Sequence, residues 1–168
     1  MAKLPGRKYS KKRNLISQAS GLYQWTALPL TREHTSKCFS VLEQIEITEQ
    51  PEMDQNMRRE LAALQYTLHH FQELEQKGIV IMIEAQPVAF SIYERISADT
   101  VAIHFERALR SFKGLYQVVN RETARVIEKM GIEFINREED IGDTGLREAK
   151  LSYYPHQLVS AYDLTFRR

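Results

Sequence analysis

The chain has 168 residues, 43% of them hydrophobic, and a formal net charge of +1. These totals fit one domain with its own core, and they give no reason to expect a protein built for nucleic acid or membranes. Cys38 is the only cysteine, which excludes a disulfide framework, and Cys/His zinc-site spacing is absent, so we expect no metal. No apolar run approaches the roughly 20 residues of a membrane span. The start also lacks the apolar core of a signal peptide. We therefore expect a cytoplasmic protein.

Positive charge is concentrated at the start of the chain. No Asp or Glu precedes Glu33, whereas six Lys and Arg residues fall within residues 3–13. Residues 8–20 predict a basic helix with Gly21 as its C-cap. This helix is either simply solvated or a contact for a polyanion such as tRNA, in which case binding would depend steeply on salt.

A first strand and two helical patterns follow. Residues 23–30 predict the strand, and Thr31 is placed to cap the next helix. One face of that helix is apolar: Cys38, Phe39, Leu42 and Ile45. Pro51 and Asp54 predict the start of a longer helix, and Gly78 its end. Its apolar positions are spaced four and three: Met57, Leu61, Leu64, Leu68 and Phe71.

Two adjacent histidines, His69 and His70, lie on the longer helix. They are interpreted as surface or boundary residues rather than metal ligands, because no acidic or histidine partner lies at ligand spacing.

The pattern then changes to short β-branched runs. Three strands joined by tight turns predict an antiparallel meander: residues 79–84, 88–96 and 101–107. The remaining elements are a helix, a strand, a short helix and a final strand: residues 114–130, 132–136, 144–150 and a stretch within 157–166. The order β-α-α-β-β-β-α-β-α-β predicts an α/β (α+β) domain with a mixed, mostly antiparallel sheet flanked by helices.

A polar cluster is predicted inside the meander. If the turn at residues 97–100 places Ile96 opposite Val101, then Tyr93 faces His104 and Ser91 faces Glu106, and all four share one sheet face. A carboxylate partly removed from water is suited to general-base work. The alternative is a wet face or a satisfied polar network, and a slip of one residue would separate the pairs.

The entry to the next helix is rich in cations. Arg107, Arg110 and Lys113 precede a turn at Gly114. Free amides at a helix start attract anions, so these four residues predict a binding site for donor phosphates. A solvated loop remains an equal alternative, because a glycine-rich fingerprint is absent.

Three segments resemble the phosphatidylglycerol lysyltransferase C-terminal-like family: "GRKYSKKRNLI" (6–16), "VAIHFERALRSFKGLYQVVN" (101–120) and "FINREEDIGDTGLREAKLSYYP" (134–155). The element order is similar to the GNAT acyltransferase fold, in which an acyl donor enters the gap where two strands splay. Full-size members carry two such halves, and lysyltransferase members add a membrane region. This sequence resembles the second half, with residues 1–21 as connector and 22–168 as the GNAT-like domain.

The resemblance implies roles for individual residues. Glu106 is the expected general base, with His104 and Tyr93 orienting it. Arg137 and Lys150 would neutralise an anionic acceptor or a developing oxyanion. The matched loop supplies the expected substrate-binding residues: Asn136, Arg137, Glu138, Asp140, Lys150 and Tyr153. Tyr154 stands where the family usually has histidine, so any role of that histidine is in doubt here.

The loop of residues 135–155 has a second interpretation. Gly142 and Gly145 permit a tight reversal, and Asp143 or Thr144 can cap the short helix. Its charges form either a substrate-binding rim or only a structural clasp of ion pairs, in which Arg137 and Arg147 pair with the acidic residues Glu138, Glu139 and Asp140.

The function expected from the resemblance is acyl or aminoacyl transfer from acyl-CoA or aminoacyl-tRNA to an amine or hydroxyl acceptor. The acceptor would be a small molecule or a lipid headgroup, and no tightly bound cofactor is expected. The alternative is a non-catalytic half that acts as a binding or dimerisation module, as a homodimer or paired with another GNAT-like half.

Overall fold

The computed structural model describes residues 1–49, 55–140, 142–160, 162 and 164–166. They group into two compact units, Met1–Glu138 and Glu139–Arg168. After a 3₁₀ turn at Arg7–Tyr9, the first unit contains these elements: α1 Ser10–Leu22, β1 Trp25–Pro29, α2 Arg32–Glu49, α3 Gln55–His69, β2 Lys77–Ile83, β3 Gln86–Arg95, β4 Thr100–Ala108, α4 Leu115–Lys129 and β5 Phe134–Asn136. The second contains α5, Thr144–Leu151.

The strands form one sheet in the order β1-β2-β3-β4-β5. Neighbouring strands are antiparallel from β1 to β4, and β5 runs parallel to β4. This mixed, mostly antiparallel sheet confirms the predicted α+β class. Ile79, Val80 and Ile81 of β2 are all buried, as expected for a continuous apolar run in a strand covered on both faces.

Helices cover both faces of the sheet. Consecutive residues of a strand point to opposite faces, and Glu106 and Arg107 of β4 reach different helices. Glu106 accepts hydrogen bonds from Asn120 of α4, whereas Arg107 pairs with Glu60 of α3 at 3.1 Å. Helix α1 packs on α4, and α2 packs on α3.

Two predicted helix ends are wrong. Helix α1 runs through Gly21 to Leu22, because glycine tolerates the helical conformation when packing holds the helix. Helix α3 ends at His69, and Gly78 lies in β2. A Cβ at Gly78 would lie 2.4 Å from the Ser91 carbonyl oxygen, so this glycine permits the close approach of β2 and β3.

The remaining sequence predictions have mixed outcomes. Pro51 and Asp54 lie outside the described residues. The predicted final strand does not form in the described part of 157–166, which has no regular secondary structure. His69 is exposed, and His70 pairs with Glu73 at 2.7 Å. Among the described residues, no three His, Cys, Asp or Glu side chains are grouped as a metal site requires, and no described helix is long and apolar enough to cross a membrane.

The second unit forms the predicted short helix. Asp143 Oδ1 accepts a hydrogen bond from the Leu146 amide at 2.9 Å, which confirms the expected cap of α5. Gly142 supplies the reversal with a φ of +82°. Gly145 lies within α5, so its predicted part in the reversal is wrong.

The N-terminal segment is packed onto the rest of the first unit. Ile16 and Ala19 of α1 are buried, and Tyr23 stacks edge-to-face on Phe112, which lies just before α4. The closest approach is at Gly114, the N-cap of α4, with a φ of +79°. A Cβ there would lie 2.4 Å from the Leu15 carbonyl oxygen. A backbone carbonyl of α1 therefore lies against the N-cap of α4.

We expect Gly114→Ala to destabilise the protein by about 2 kcal/mol or more, because alanine pays about 1–2 kcal/mol for a left-handed conformation and the clash with Leu15 adds to that. Gly21→Ala is the matched control. It lies in a helix with no neighbouring atom within 4 Å of its Cβ, and should stabilise slightly. Urea unfolding measures both, and equal free energies of unfolding for the two variants would contradict the close packing of α1 on α4.

Candidate functional site

Strand β5 pairs with β4 over a short distance only. Thr100, Val101 and Ala102 pair with Phe134, Ile135 and Asn136, and β5 ends there. Residues 103–108 of β4 continue without a strand partner on that side among the described residues. Two of the expected catalytic residues, His104 and Glu106, lie in this stretch.

Glu106 is held by two other elements of the first unit. Its side chain is 12% exposed. Asn120 Nδ2 of α4 donates to its two carboxylate oxygens at 3.2 and 3.4 Å, and Arg137 Nη2, just after β5, donates to Oε1 at 3.3 Å. Donors of this kind fix the carboxylate in one orientation, which a general base requires.

Some buried polar groups around Glu106 have no hydrogen-bond partner among the described residues. Ser91 lies directly opposite Glu106 in β3, as predicted, and is 0% exposed. Ser91 Oγ and Asn120 Oδ1 are buried without a hydrogen-bond partner among the described residues. Each such group costs about 1–3 kcal/mol, and exceptions of this kind in a native structure call for a functional or structural reason.

The predicted pairing of Tyr93 with His104 is wrong. Tyr93 pairs with Ile103, because β4 carries an extra residue between Phe105 and Ile103. That residue is His104, at a β-bulge, which redirects a side chain. Burial raises the pKa of the Tyr93 hydroxyl, so it stays protonated.

His104 pairs with two carboxylates, neither of which belongs to Glu106. Nδ1 lies 2.6 Å from Glu138 Oε1, and Nε2 lies 3.5 Å from Glu94 Oε2. Whether His104 and Tyr93 orient Glu106 stays a prediction.

The structure shows the surroundings of each of the four expected phosphate-binding residues. Arg107 lies on the face opposite Glu106, paired with Glu60. Arg110 and Lys113 are exposed in the loop before α4. Gly114 lies under the Leu15 carbonyl. Their role in donor binding stays a prediction.

The expected substrate-binding residues divide between the two units. In the first, Asn136 Oδ1 accepts from the Glu138 amide at 2.8 Å, and Arg137 pairs with Glu106. Glu138 has a φ of +53°, which is uncommon for a residue with a side chain. A strained backbone next to the paired Arg137 is compatible with a functional role.

In the second unit the charges pair with one another. Arg147 Nε donates to Asp140 Oδ2 at 2.7 Å, and this bond lowers the pKa of Asp140. Lys150 Nζ donates to the Glu139 carbonyl oxygen, and Tyr153 is buried. The pair of Arg147 with Asp140 is one that the clasp interpretation expects, whereas Arg137 also reaches beyond the loop to Glu106.

Sequence reasoning missed one residue of this site, Asn120. It occupies a core position of α4, in line with the buried Thr123, Ala124 and Ile127. An amide among buried helix positions is unusual, and this could have been recognised in the sequence.

Asn120→Leu should destabilise the protein by about 1–3 kcal/mol, because the Glu106 carboxylate loses a buried donor. Thr123→Val is the matched control on the same face of α4. The Thr123 hydroxyl donates to the Val119 carbonyl of its own helix, so its loss should cost less than about 1 kcal/mol. Chemical denaturation compares them, and a tolerated Asn120→Leu would show that Glu106 does not depend on the amide.

Solved structures similar to this chain share its fold. A conserved protein of unknown function from Bacteroides thetaiotaomicron VPI-5482 is 34% identical with a TM-score of 0.85, over 94% of this chain and 53% of that chain. The chain thus spans about half the length of that relative. A ribosomal-protein-alanine N-acetyltransferase from Brucella melitensis biovar Abortus 2308 is 12% identical with a TM-score of 0.60, over 86% of this chain and 100% of that one.

An aminoglycoside N-acetyltransferase, AAC(6')-Iy, in complex with CoA is 10% identical with a TM-score of 0.58, over 87% of this chain and 95% of that one. At these low identities the acetyltransferases show the fold alone, and it is GNAT-like as expected. Among proteins with curated functions, none matches the chain. The family model described as phosphatidylglycerol lysyltransferase, C-terminal, matches residues 1–165. The chain belongs to the phosphatidylglycerol lysyltransferase C-terminal family.

Proposed function

We propose that the protein transfers an acyl or aminoacyl group from a phosphate-containing donor, acyl-CoA or aminoacyl-tRNA, to an amine or hydroxyl acceptor. The observation that carries this proposal is the Glu106 carboxylate, shielded from water and held by Asn120 and Arg137 where β4 continues beyond β5. Membership of the family and the GNAT-like fold support it.

In this reaction Glu106 accepts a proton from the acceptor amine or hydroxyl. The acceptor nitrogen or oxygen then bonds to the acyl carbon, and the bond from that carbon to the donor sulfur or oxygen breaks. The departing thiolate or alkoxide takes up a proton. Arg137, beside Glu106, would stabilise the negative charge that develops on the carbonyl oxygen.

The donor phosphates need cations near this gap. Arg110 and Lys113 are exposed in the loop before α4 and would bind them. If the donor is an aminoacyl-tRNA, the basic residues within 3–13 would contact its backbone.

Glu106→Gln should lower the transfer rate about 10²–10⁴-fold, the usual contribution of a general base. It also removes the ion pair with Arg137, so the rates are measured well below the melting temperature of the variant. Glu122→Gln is the matched control, since Glu122 is another shielded carboxylate paired with arginines. Mass spectrometry of acceptor amines and phosphatidylglycerol, incubated with acetyl-CoA or charged tRNA, measures the transfer. The proposal is lost if no donor supports transfer, or if Glu106→Gln transfers as fast as Glu122→Gln.

A second function, pairing with another GNAT-like half or a second copy, is favoured by the C-terminal segment. Five apolar side chains there are 75–99% exposed: Leu158, Val159, Tyr162, Leu164 and Phe166. Exposed apolar groups at this density are typical of a binding surface rather than of a free monomer.

We expect the protein to behave as a dimer in size-exclusion chromatography with light scattering, and the double variant Leu164→Ser with Phe166→Ser to behave as a monomer. Leu22→Ser is the control, because Leu22 is an exposed apolar residue on α1. A wild-type protein that is a monodisperse monomer would rule out homodimerisation.

A further inference from the structure

The two chain neighbours of Arg137 are both attached to β4. On one side, Asn136 pairs with Ala102 in the short parallel ladder. On the other side, Glu138 Oε1 lies 2.6 Å from His104 Nδ1. The backbone is therefore tied to β4 both before and after Arg137.

The side chain of Arg137 returns to the same strand. Its Nη2 donates to Glu106 Oε1 at 3.3 Å, and the arginine side chain is 19% exposed. His104 and Glu106 are two positions apart in β4, so one strand contacts both the guanidinium group and the residue that follows it. Because a guanidinium is planar and rigid, its bond to a carboxylate depends on where the backbone places it.

The contact with His104 stabilises an unfavourable backbone conformation at Glu138. Its φ of +53° is left-handed, which is costly for a residue with a Cβ atom. Such conformations persist only where surrounding groups hold them. The Glu138 amide donates to Asn136 Oδ1 at 2.8 Å, and its carboxylate bonds to the imidazole of His104. An ionised carboxylate can only accept, so the imidazole is the donor.

The other nitrogen of the imidazole also faces a carboxylate. His104 Nε2 lies 3.5 Å from Glu94 Oε2, and Glu94 in turn accepts from Gln76 Nε2 at 2.6 Å. The ring projects from the bulge of β4, and a bulge redirects a side chain. The bulge and the two carboxylates together fix the orientation of the imidazole toward Glu138.

We propose that His104 is a positioning residue for Arg137 and that it acts through Glu138. The proposal rests on the proposed transfer reaction for the task of Arg137, which is to stabilise charge on the carbonyl oxygen. By holding the backbone just after Arg137, His104 keeps the guanidinium beside Glu106 before the substrates arrive. A small displacement of such a group is enough to lower the rate of a reaction.

Two substitutions of His104 separate its two contacts. An asparagine side chain places its amide nitrogen near the position of Nδ1, and a glutamine side chain places its own near that of Nε2. His104→Asn should therefore keep a donor toward Glu138, whereas His104→Gln should keep only the one toward Glu94. The matched control is His70→Gln, which removes the pair of His70 with Glu73, 2.7 Å long, elsewhere in the first unit.

The readout is the exchange of the Arg137 guanidinium protons with water, followed by NMR of the full chain and assigned with Arg137→Lys. These protons should exchange equally slowly in the wild type, His104→Asn and His70→Gln. In His104→Gln they should exchange at least about tenfold faster, as expected when one hydrogen bond to a charged group is lost. Glu138→Ala should match His104→Gln, whereas Glu138→Gln, which keeps an acceptor oxygen, should match the wild type.

Three results would overturn the proposal: unchanged exchange in both His104→Gln and Glu138→Ala, equally fast exchange in His104→Asn and His104→Gln, or equally fast exchange in His70→Gln. If only one of His104→Gln and Glu138→Ala folds, that variant decides the outcome.

The transfer assay supplies a second readout. His104→Gln should lower kcat and leave the KM of the acceptor unchanged, because the charge on the carbonyl oxygen develops only in the transition state. An unchanged kcat would also overturn the proposal. The exchange measurement needs no substrate, so a failure of the transfer reaction leaves it intact, and a failure of the positioning role leaves the test of Glu106 intact.

Discussion

The carboxylate of Glu106 joins three elements of the first unit. It belongs to β4, Asn120 binds it from α4, and Arg137 binds it from the end of β5. A shielded carboxylate is costly unless donors are held in place around it, so the positions of α4 and β5 are constrained by the same group that would do the chemistry. In the described part of the chain, the early end of β5 leaves the C-terminal part of β4 beside this carboxylate without a strand partner on that side.

The N-terminal helix α1 packs against α4, one of the elements that hold Glu106. Its Leu15 carbonyl closes on Gly114, and its buried residues pack on α4. A separation of residues 1–21 from the following domain remains a prediction from the sequence, but α1 and α4 lie in one compact unit. Because of this packing, α1 belongs to the surroundings of the site and is not only a charged segment before the domain.

Much of the fold could be predicted because strand periodicity and turn residues are local signals. The meander followed from the turn residues and the alternation of side chains. The turn was expected to place Ile96 opposite Val101, but Arg95 lies there, and Ser91 faces Glu106 only because the bulge at His104 offsets this shift of one residue. The bulge at His104 could not be predicted in this way, because an extra residue leaves no trace in the alternation, although it changes which side chains meet. His104 instead lies between the carboxylates of Glu138 and Glu94.

Two glycines were assigned wrongly from the sequence for a related reason. Gly78 occupies a place where strands approach closely, and Gly145 lies inside a helix, yet in sequence both resemble helix ends or turns. A role for Arg137 is expected from the family segment, but its pairing with Glu106 could not be predicted, since Glu106 is 31 positions away along the chain. Long-range pairs of this kind are set by tertiary packing, which local patterns do not contain.

Amide hydrogen exchange with and without a bound donor tests the central claim most directly, that the gap beside β4 receives the donor next to Glu106. With acyl-CoA or a non-hydrolysable aminoacyl-tRNA analogue, the amides of residues 103–108 should become slower to exchange, while those of β1 and β2 stay unchanged. Protection confined to other parts of the chain, such as the open groove near Leu30 and Gln76, would contradict it.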